Sequence, residues 1–243
     1  MSKHSKWSKV KHQKGGVDAK RAAVFTKMAR LITVAARDGG GDPNFNFKLR
    51  TAVDRALEEN MPKDNIDRAI KKGTGELASE RIEEATYEGY APGGLPVIVE
   101  ALTDNRNRTS GNLKFVFSDN GGSFAATGAV QWMFERKGVV RLKTGKITEE
   151  QELGLIDAGA DDMAVEDGDE ENPAETAART VPENLAHLRE AAEKLGLVVD
   201  EAVLEWLPKE KAEAVAPEVM EKAAELFAAL EDDEDVSGVF TNI

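Results

Sequence analysis

Apolar residues change their spacing near residue 80, and this change limits the folds that the chain can adopt. Between residues 17 and 73 they recur every three or four positions, which is the spacing of amphipathic helices. Beyond residue 80, short alternating runs typical of strands are interspersed with helical segments and with glycine and proline turns. The pattern predicts an α+β protein with an N-terminal three-helix bundle followed by two ferredoxin-like α+β domains, one of them discontinuous.

The N-terminal part, residues 1–76, is predicted to hold a basic tail and three helices with short connections. The first helix is expected to end at Gly39, acting as a left-handed cap. The second is expected to start with Asp42 as its N-cap and Pro43 in its first turn, and the third occupies 62–73. Four apolar side chains are assigned to the inward face of the second helix: Leu49, Val53, Ala56 and Leu57.

Two α+β domains are predicted beyond the bundle. One spans 80–143 and includes two strands around a Pro-Gly-Gly turn, and the other spans 144–207. The first domain is one helix short of the second. The last helix and strand, within 208–243, are therefore expected to return to the first domain, which makes that domain discontinuous.

Charge is strongly segregated along the chain. Residues 1–72 hold 17 Lys+Arg and 8 Asp+Glu, a balance of +9, whereas residues 144–243 hold 7 and 28, a balance of −21. A cationic module of this kind suits a polyanion such as nucleic acid. The sequence has no cysteine and no apolar run of the ~20 residues that a membrane span needs, so a cytoplasmic protein without a membrane partner is expected.

The N-terminal tail is the first candidate for a nucleic-acid contact. Lys3, Lys6 and Lys9 recur every third residue, which in an extended chain places their charges on one ridge facing a phosphate backbone. Trp7 could stack on an exposed base, or it could cover the core of the bundle while the tail only aids solubility. The predicted contact set of the tail and first helix is Lys3, His4, Lys6, Trp7, Lys9, Lys11, His12, Lys14, Lys20, Arg21, Lys27 and Arg30.

A second candidate lies between a predicted strand and a predicted helix. Asn105 or Asn107 is suited to cap that helix, and Arg106 and Arg108 would then lie beside its amide-rich start, where anions bind. The alternative is simple capping, with both arginines paired to neighbouring acids at the surface.

No pattern in the sequence supports catalysis or a cofactor. Nucleotide-binding glycine loops and nucleophile motifs are absent, and the three histidines are too far apart in sequence and too few for a zinc site. The acidic run at 161–171 lacks the spacing of a calcium loop and is expected to be a solvated hairpin. We therefore expect a protein that is not an enzyme and needs neither cofactor nor metal.

Seven ordered motifs of the first half resemble the YebC/PmpR family, and the resemblance continues more loosely to the C-terminal VFTN. It implies a helical domain followed by two α+β domains, and a non-enzymatic role in gene expression. The motifs are HSKW (His4–Trp7), KHQK (Lys11–Lys14), DAKR (Asp18–Arg21), GGGDP (Gly39–Pro43), NMPKDNI (Asn60–Ile66), YEGYAPGG (Tyr87–Gly94) and LTDNRNRT (Leu102–Thr109).

Two forms of that role remain open from the sequence. Family members are commonly classed as DNA-binding regulators of transcription, which implies duplex DNA as the partner. Others, including mitochondrial translational activators, act on the ribosome, which implies ribosomal RNA binding and regulation of translation. RNA suits a flexible tail with one aromatic residue, because RNA is recognised by shape, stacking and backbone contacts. A more distant alternative is an interaction scaffold whose basic bundle docks on an acidic protein.

Overall fold

Three helices come first in the part of the chain that the structure describes, as the apolar spacing predicts. The structure is a computed structural model that describes residues 17–78, 81–166, 174–212 and 215–243, with side chains from Arg21 onward. The helices are α1 (Val17–Gly39), α2 (Phe47–Glu58) and α3 (Lys63–Gly73).

The connection between α1 and α2 differs from the sequence prediction. The residue with positive φ after α1 is Gly40, at 87°, and not Gly39. The N-cap of α2 is Asn46 and not Asp42. The Asn46 side chain accepts a hydrogen bond from the backbone N–H of Leu49, and its Nδ2 donates to the carbonyls of Ala35 and Gly40 at 2.7 Å each. Asn46 therefore caps two helix ends at once, which an N-cap at Asp42 would not achieve.

The bundle core lies between α1 and the two shorter helices. Ala52 of α2 is buried with Leu49 and Ala56, whereas Leu57, predicted to face inward, is 44% exposed and Val53 is only partly buried. Gly73 lies where α3 approaches α1 most closely, because a Cβ there would lie 2.7 Å from the Cβ of Ala36. The main members of this core are Met28, Ile32, Ala36, Leu49, Ala56, Met61, Ile66 and Ala69.

The first sheet has the strand order β3-β1-β2-β8. Its members are β1 (Glu83–Ala91), β2 (Leu95–Thr103), β3 (Ser123–Ala125) and β8 (Val236–Thr241). The β1–β2 hairpin turns at the predicted Pro-Gly-Gly, and β8 returns to this domain as predicted, where it pairs with β2. Two helices, α4 (Arg106–Asp119) and α7 (Pro217–Asp232), cover one face with a core of Leu113, Phe117, Leu226, Phe227 and Leu230. The sequence did not predict β3.

The second sheet belongs to a separate compact unit, Phe134–Leu207. It contains β4 (Phe134–Leu142), α5 (Glu149–Asp157), β5 (Asp162–Glu166), β6 (Glu175–Thr180), α6 (Leu185–Lys194) and β7 (Val199–Pro208). The strand order is β5-β6-β4-β7, which with this chain order is the ferredoxin-like arrangement. The first sheet has a different order, because a hairpin and not a helix joins its first two strands.

The strand β4 lies in the second sheet and not in the first, where the boundary predicted at residue 143 had placed it. The reason is its pairing with β6, which runs from Gly138 opposite Thr180 to Leu142 opposite Thr176. The first unit, Met1–Met133 with Pro208–Ile243, holds both the helices α1–α3 and the first sheet. In the described ranges, none of the helices has the length and apolar character that crossing a bilayer requires.

Candidate nucleic-acid interface

Eight of the predicted contact residues lie outside the described residues: Lys3, His4, Lys6, Trp7, Lys9, Lys11, His12 and Lys14. Lys20 lies in α1, but its side chain is not among those described. Arg21 is exposed near the start of α1, with its guanidinium carbon 5.3 Å from the ring centre of Phe25. The nucleic-acid contacts of these residues remain predictions. Among them, only Arg21 has a described side chain, and that side chain lies at the surface.

Two of the predicted cations on α1 face the C-terminal part of the chain and not open solvent. Lys27 is only 8% exposed and donates to the carbonyl of Glu231, near the end of α7. Arg30 donates to the carbonyl of Glu234 and forms an ion pair with Asp235 at 2.7 Å. Carbonyls at a helix C-terminus attract cations, which explains this packing. Lys27, predicted as a nucleic-acid contact, is therefore buried in a contact within the first unit.

Asp235 is the centre of this contact. Its side chain is 5% exposed and accepts hydrogen bonds from the hydroxyl of Thr109 at 2.6 Å and from Nη2 of Arg108 at 3.1 Å, in addition to the Arg30 ion pair. The hydroxyl of Thr103 also donates to it, at 3.4 Å. One carboxylate thus joins α1 to β2 and α4.

The second candidate site has the predicted cap but paired arginines. Asn105 accepts hydrogen bonds from the backbone N–H groups of Asn107 and Arg108, at 3.1 Å each. Arg106 contacts the carboxylate of Glu83 at 3.0 Å. Hydrogen bonds to Asp104 and then Asp235 raise the pKa of the Arg108 guanidinium above its usual range. The geometry agrees with the alternative of capping plus acid pairing for both arginines.

A groove between α1 and α3 was not identified from the sequence. Its volume is about 400 Å³. From α3 it is lined by Asn65, Arg68 and Lys72, which are spaced three and four residues apart and so share one side of the helix. Arg68 and Lys72 are both exposed. The other lining residues are Phe25, Thr26, Ala29, Arg30, Thr33, Met61, Ala69, Ile82 and Asp104.

The groove combines three chemical features. One wall carries the cations Arg68 and Lys72, with the amide of Asn65 beside them. Phe25 and Met61 add apolar surface to the lining of the groove. A volume of this size lies within the ~300–1,000 Å³ of typical ligand sites. Cations can bind a phosphate, and an apolar lining with an adjacent amide can bind a heterocycle. The signal in the sequence was the spacing of the polar residues on α3. Among the described residues, no cluster of three histidines or acids suited to hold a metal ion occurs.

The comparisons with known proteins cover almost the whole chain. The family description "TACO1/YebC protein N-terminal domain" matches residues 5–76, and "TACO1/YebC second and third domain" matches residues 82–243. A protein of Thermoanaerobacter pseudethanolicus named "Probable transcriptional regulatory protein" is 45% identical, over 100% of this chain and 97% of its own length. One of Thermotoga maritima with the same name is 47% identical, over 100% and 93%.

A solved structure agrees with these matches. The crystal structure of a conserved hypothetical protein from Aquifex aeolicus has a TM-score of 0.80 and 44% identity, over 98% of this chain and 96% of its own. The family matches together span both the helical part and the two sheets, which confirms the resemblance that the seven motifs indicated. The chain belongs to the TACO1/YebC family.

Proposed function

We propose that this protein is a cytoplasmic nucleic-acid-binding regulator of gene expression that acts without catalysis. The names of its relatives support a role in regulation. The observation that carries nucleic-acid binding is the cationic wall formed by Arg68 and Lys72 in the domain that also bears the lysine-rich tail. The tail supplies phosphate contacts without sequence preference, and the groove supplies a shaped site.

The same charge segregation suggests how the molecule is oriented on its target. The C-terminal hundred residues carry 28 acids and 7 bases, so a polyanion repels them. We propose a three-part division of labour, in which residues 1–76 bind nucleic acid. The α+β parts, 80–133 with 208–243 and 134–207, then serve mainly as spacer or partner surface.

The shape of the groove favours one form of this function over the other. Arg68 and Lys72 face a concave site of about 400 Å³ between two helices. A helix that recognises duplex DNA instead protrudes into the major groove. A concave site of this size suits a single unpaired nucleotide, as in loops and bulges of RNA. The first candidate remains DNA binding with regulation of transcription. We therefore propose RNA binding on the ribosome, with regulation of translation, as a second candidate that the shape of the groove favours.

Fluorescence anisotropy with labelled oligonucleotides tests the proposal. The protein is titrated against single-stranded RNA, hairpin RNA and duplex DNA at ~0.1 M salt. We expect the double variant Arg68→Ala/Lys72→Ala to bind about 10- to 30-fold more weakly, as expected for the loss of two phosphate contacts. The matched control is Lys146→Ala/Lys194→Ala, which removes two exposed cations from the second unit. We expect this control to bind as the wild type does.

Each outcome separates the candidates. Tighter binding to unpaired RNA supports the translational form, and tighter binding to duplex DNA supports the transcriptional form. Equal affinity of both double variants would remove the groove from the proposal. If no nucleic acid binds, the proposal fails. Co-purifying proteins that survive nuclease treatment would then favour the interaction scaffold.

A further inference from the structure

A loop between β3 and β4 is held in place by a buried carboxylate. Glu88, in the middle of β1, is only 2% exposed. Its side chain accepts hydrogen bonds from the backbone N–H groups of Gly128 at 2.6 Å, Val130 at 2.7 Å and Gln131 at 2.9 Å. Hydrogen bonds to an ionised acceptor are short and strong, and burial strengthens them further. The loop is therefore fixed to the sheet through three backbone N–H groups within four residues.

This fixed loop presents a tryptophan to solvent. Trp132 is 65% exposed, although it follows directly after the residues that Glu88 holds. Its indole Nε1 donates to the carbonyl of Ala129 at 3.0 Å, and the hydroxyl of Tyr90 donates to the same carbonyl at 3.3 Å. The only polar atom of the indole is thus satisfied within the loop. What the side chain offers to a ligand is the surface of its aromatic ring.

A cation is attached to the same residue. The Nζ of Lys209 donates to the carbonyl of Trp132 at 2.8 Å, and Lys209 is exposed. An ammonium group has three N–H donors, so this bond leaves two that can bind a ligand. A positive charge is therefore bonded to the backbone of the residue that carries the exposed ring.

We propose that Trp132 and Lys209 form a stacking site for an unpaired nucleobase, with the adjoining phosphate bound by Lys209. The inference rests on the proposed function and extends it to a second contact outside the α1–α3 groove. Stacking on an aromatic side chain contributes ~1–3 kcal/mol per base in single-stranded complexes. An aromatic side chain that is already immobilised loses little entropy when the base binds.

The fluorescence of Trp132 tests this site directly. The chain has three tryptophans, so the variant Trp7→Phe/Trp206→Phe leaves Trp132 as the only indole, while phenylalanine keeps an aromatic ring at position 7 of the tail. A 12-nucleotide single-stranded RNA is added to this variant, and indole emission and anisotropy of the labelled RNA are followed together. We expect saturable quenching whose midpoint coincides with the anisotropy midpoint, and no quenching by a blunt duplex.

Substitutions in the otherwise unchanged chain provide the affinity test. Trp132→Ala is expected to weaken single-stranded RNA binding about 5- to 100-fold, whereas Trp132→Phe retains most of the affinity. The control Phe115→Ala removes a comparably exposed aromatic residue of α4, at 68%, and should change nothing.

Three results overturn the inference, and they are distinguishable from one another. If RNA binds with normal anisotropy but Trp132 emission does not change, the stacking site is refuted and the proposed function is not. Wild-type affinity of Trp132→Ala has the same consequence, and it would make Trp132 a candidate anchor for a protein partner. Absence of any RNA or DNA binding overturns the proposed function together with this site.

Discussion

At the scale of single residues, Lys27 and Arg30 show why the contacts of a side chain are hard to predict from the sequence. Lys27 and Arg30 lie about 200 residues from the backbone carbonyls that accept their hydrogen bonds. Their three-residue spacing puts them on one side of α1, but the sequence carries no information on what packs against that side. The cap at Asn105, by contrast, depends on neighbouring residues only, and Asn105 was one of the two caps predicted.

Replacing Asp235 by Asn should destabilise the first unit. The amide keeps the shape but removes the charge that Arg30 and Arg108 share. We expect a loss of about 2–4 kcal/mol in the free energy of unfolding, near the ~3–5 found for breaking fully buried pairs, since Arg108 is partly exposed. Urea denaturation measures it. The exposed Asp119→Asn serves as control, and a loss for Asp235→Asn no larger than that of the control would contradict the role of this carboxylate.

Replacing Glu88 by Gln should loosen the loop that carries Trp132. Three backbone N–H groups point at the carboxylate, and an amide nitrogen in its place cannot accept from them. Leaving buried donors unsatisfied costs ~1–3 kcal/mol each, so we expect about 2–4 kcal/mol in total. Hydrogen exchange at Gly128, Val130 and Gln131 should accelerate. The control is Glu84→Gln on the same strand, which is exposed, and equal exchange in both variants would refute the assignment.

At the scale of helices and strands, local signals determined what could be predicted. The β1–β2 hairpin and α3 have turn and boundary residues in the sequence itself, namely the Pro-Gly-Gly and the Pro62 and Gly73 pair, and both were confirmed. The strand β3 has three residues and gives too short a pattern. The sheet to which β4 belongs depends on pairing with β6, about forty residues away, and the sequence pattern alone placed it wrongly.

The close approach of α3 to α1 leads to a prediction at this scale. Gly73→Ala places a Cβ 2.7 Å from that of Ala36, so the helices must separate and the variant should lose about 1–3 kcal/mol of stability. Gly111→Ala is the matched control in α4, where a Cβ meets nothing within 4 Å. There the higher helix propensity of alanine should add ~0.5–1 kcal/mol. Thermal unfolding of both variants measures the difference, and shifts of the same sign would contradict this packing.

At the scale of the whole molecule, charge segregation was visible in the sequence, but its spatial meaning was only partly so. Two of the cations predicted on α1 as nucleic-acid contacts, Lys27 and Arg30, are instead bonded to α7 and to the residues after it within the first unit. The cationic wall of the described bundle lies instead on α3, at Arg68 and Lys72. The amphipathic spacing of α3 places both residues on one side, yet only the packing of α1 beside them creates a groove.

Identifying the target requires the protein in its cell. Ultraviolet crosslinking followed by sequencing of the attached nucleic acid should recover ribosomal RNA if the translational form is right, and promoter DNA if the transcriptional form is right. A matched strain that carries Arg68→Ala/Lys72→Ala should yield several-fold fewer crosslinks. Equal yields from both strains would exclude the groove as a contact in the cell.

Phosphate binding by the cationic N-terminal part is tested most directly by the salt dependence of nucleic-acid binding. For single-stranded RNA, log K should fall linearly with log salt, with a slope of ~0.7 per phosphate neutralised. Arg68→Ala/Lys72→Ala should reduce the slope by about 1.4, and alanine at Lys3, Lys6, Lys9, Lys11 and Lys14 by up to about 3.5. A wild-type slope near zero, or slopes unchanged in both variants, would contradict the account.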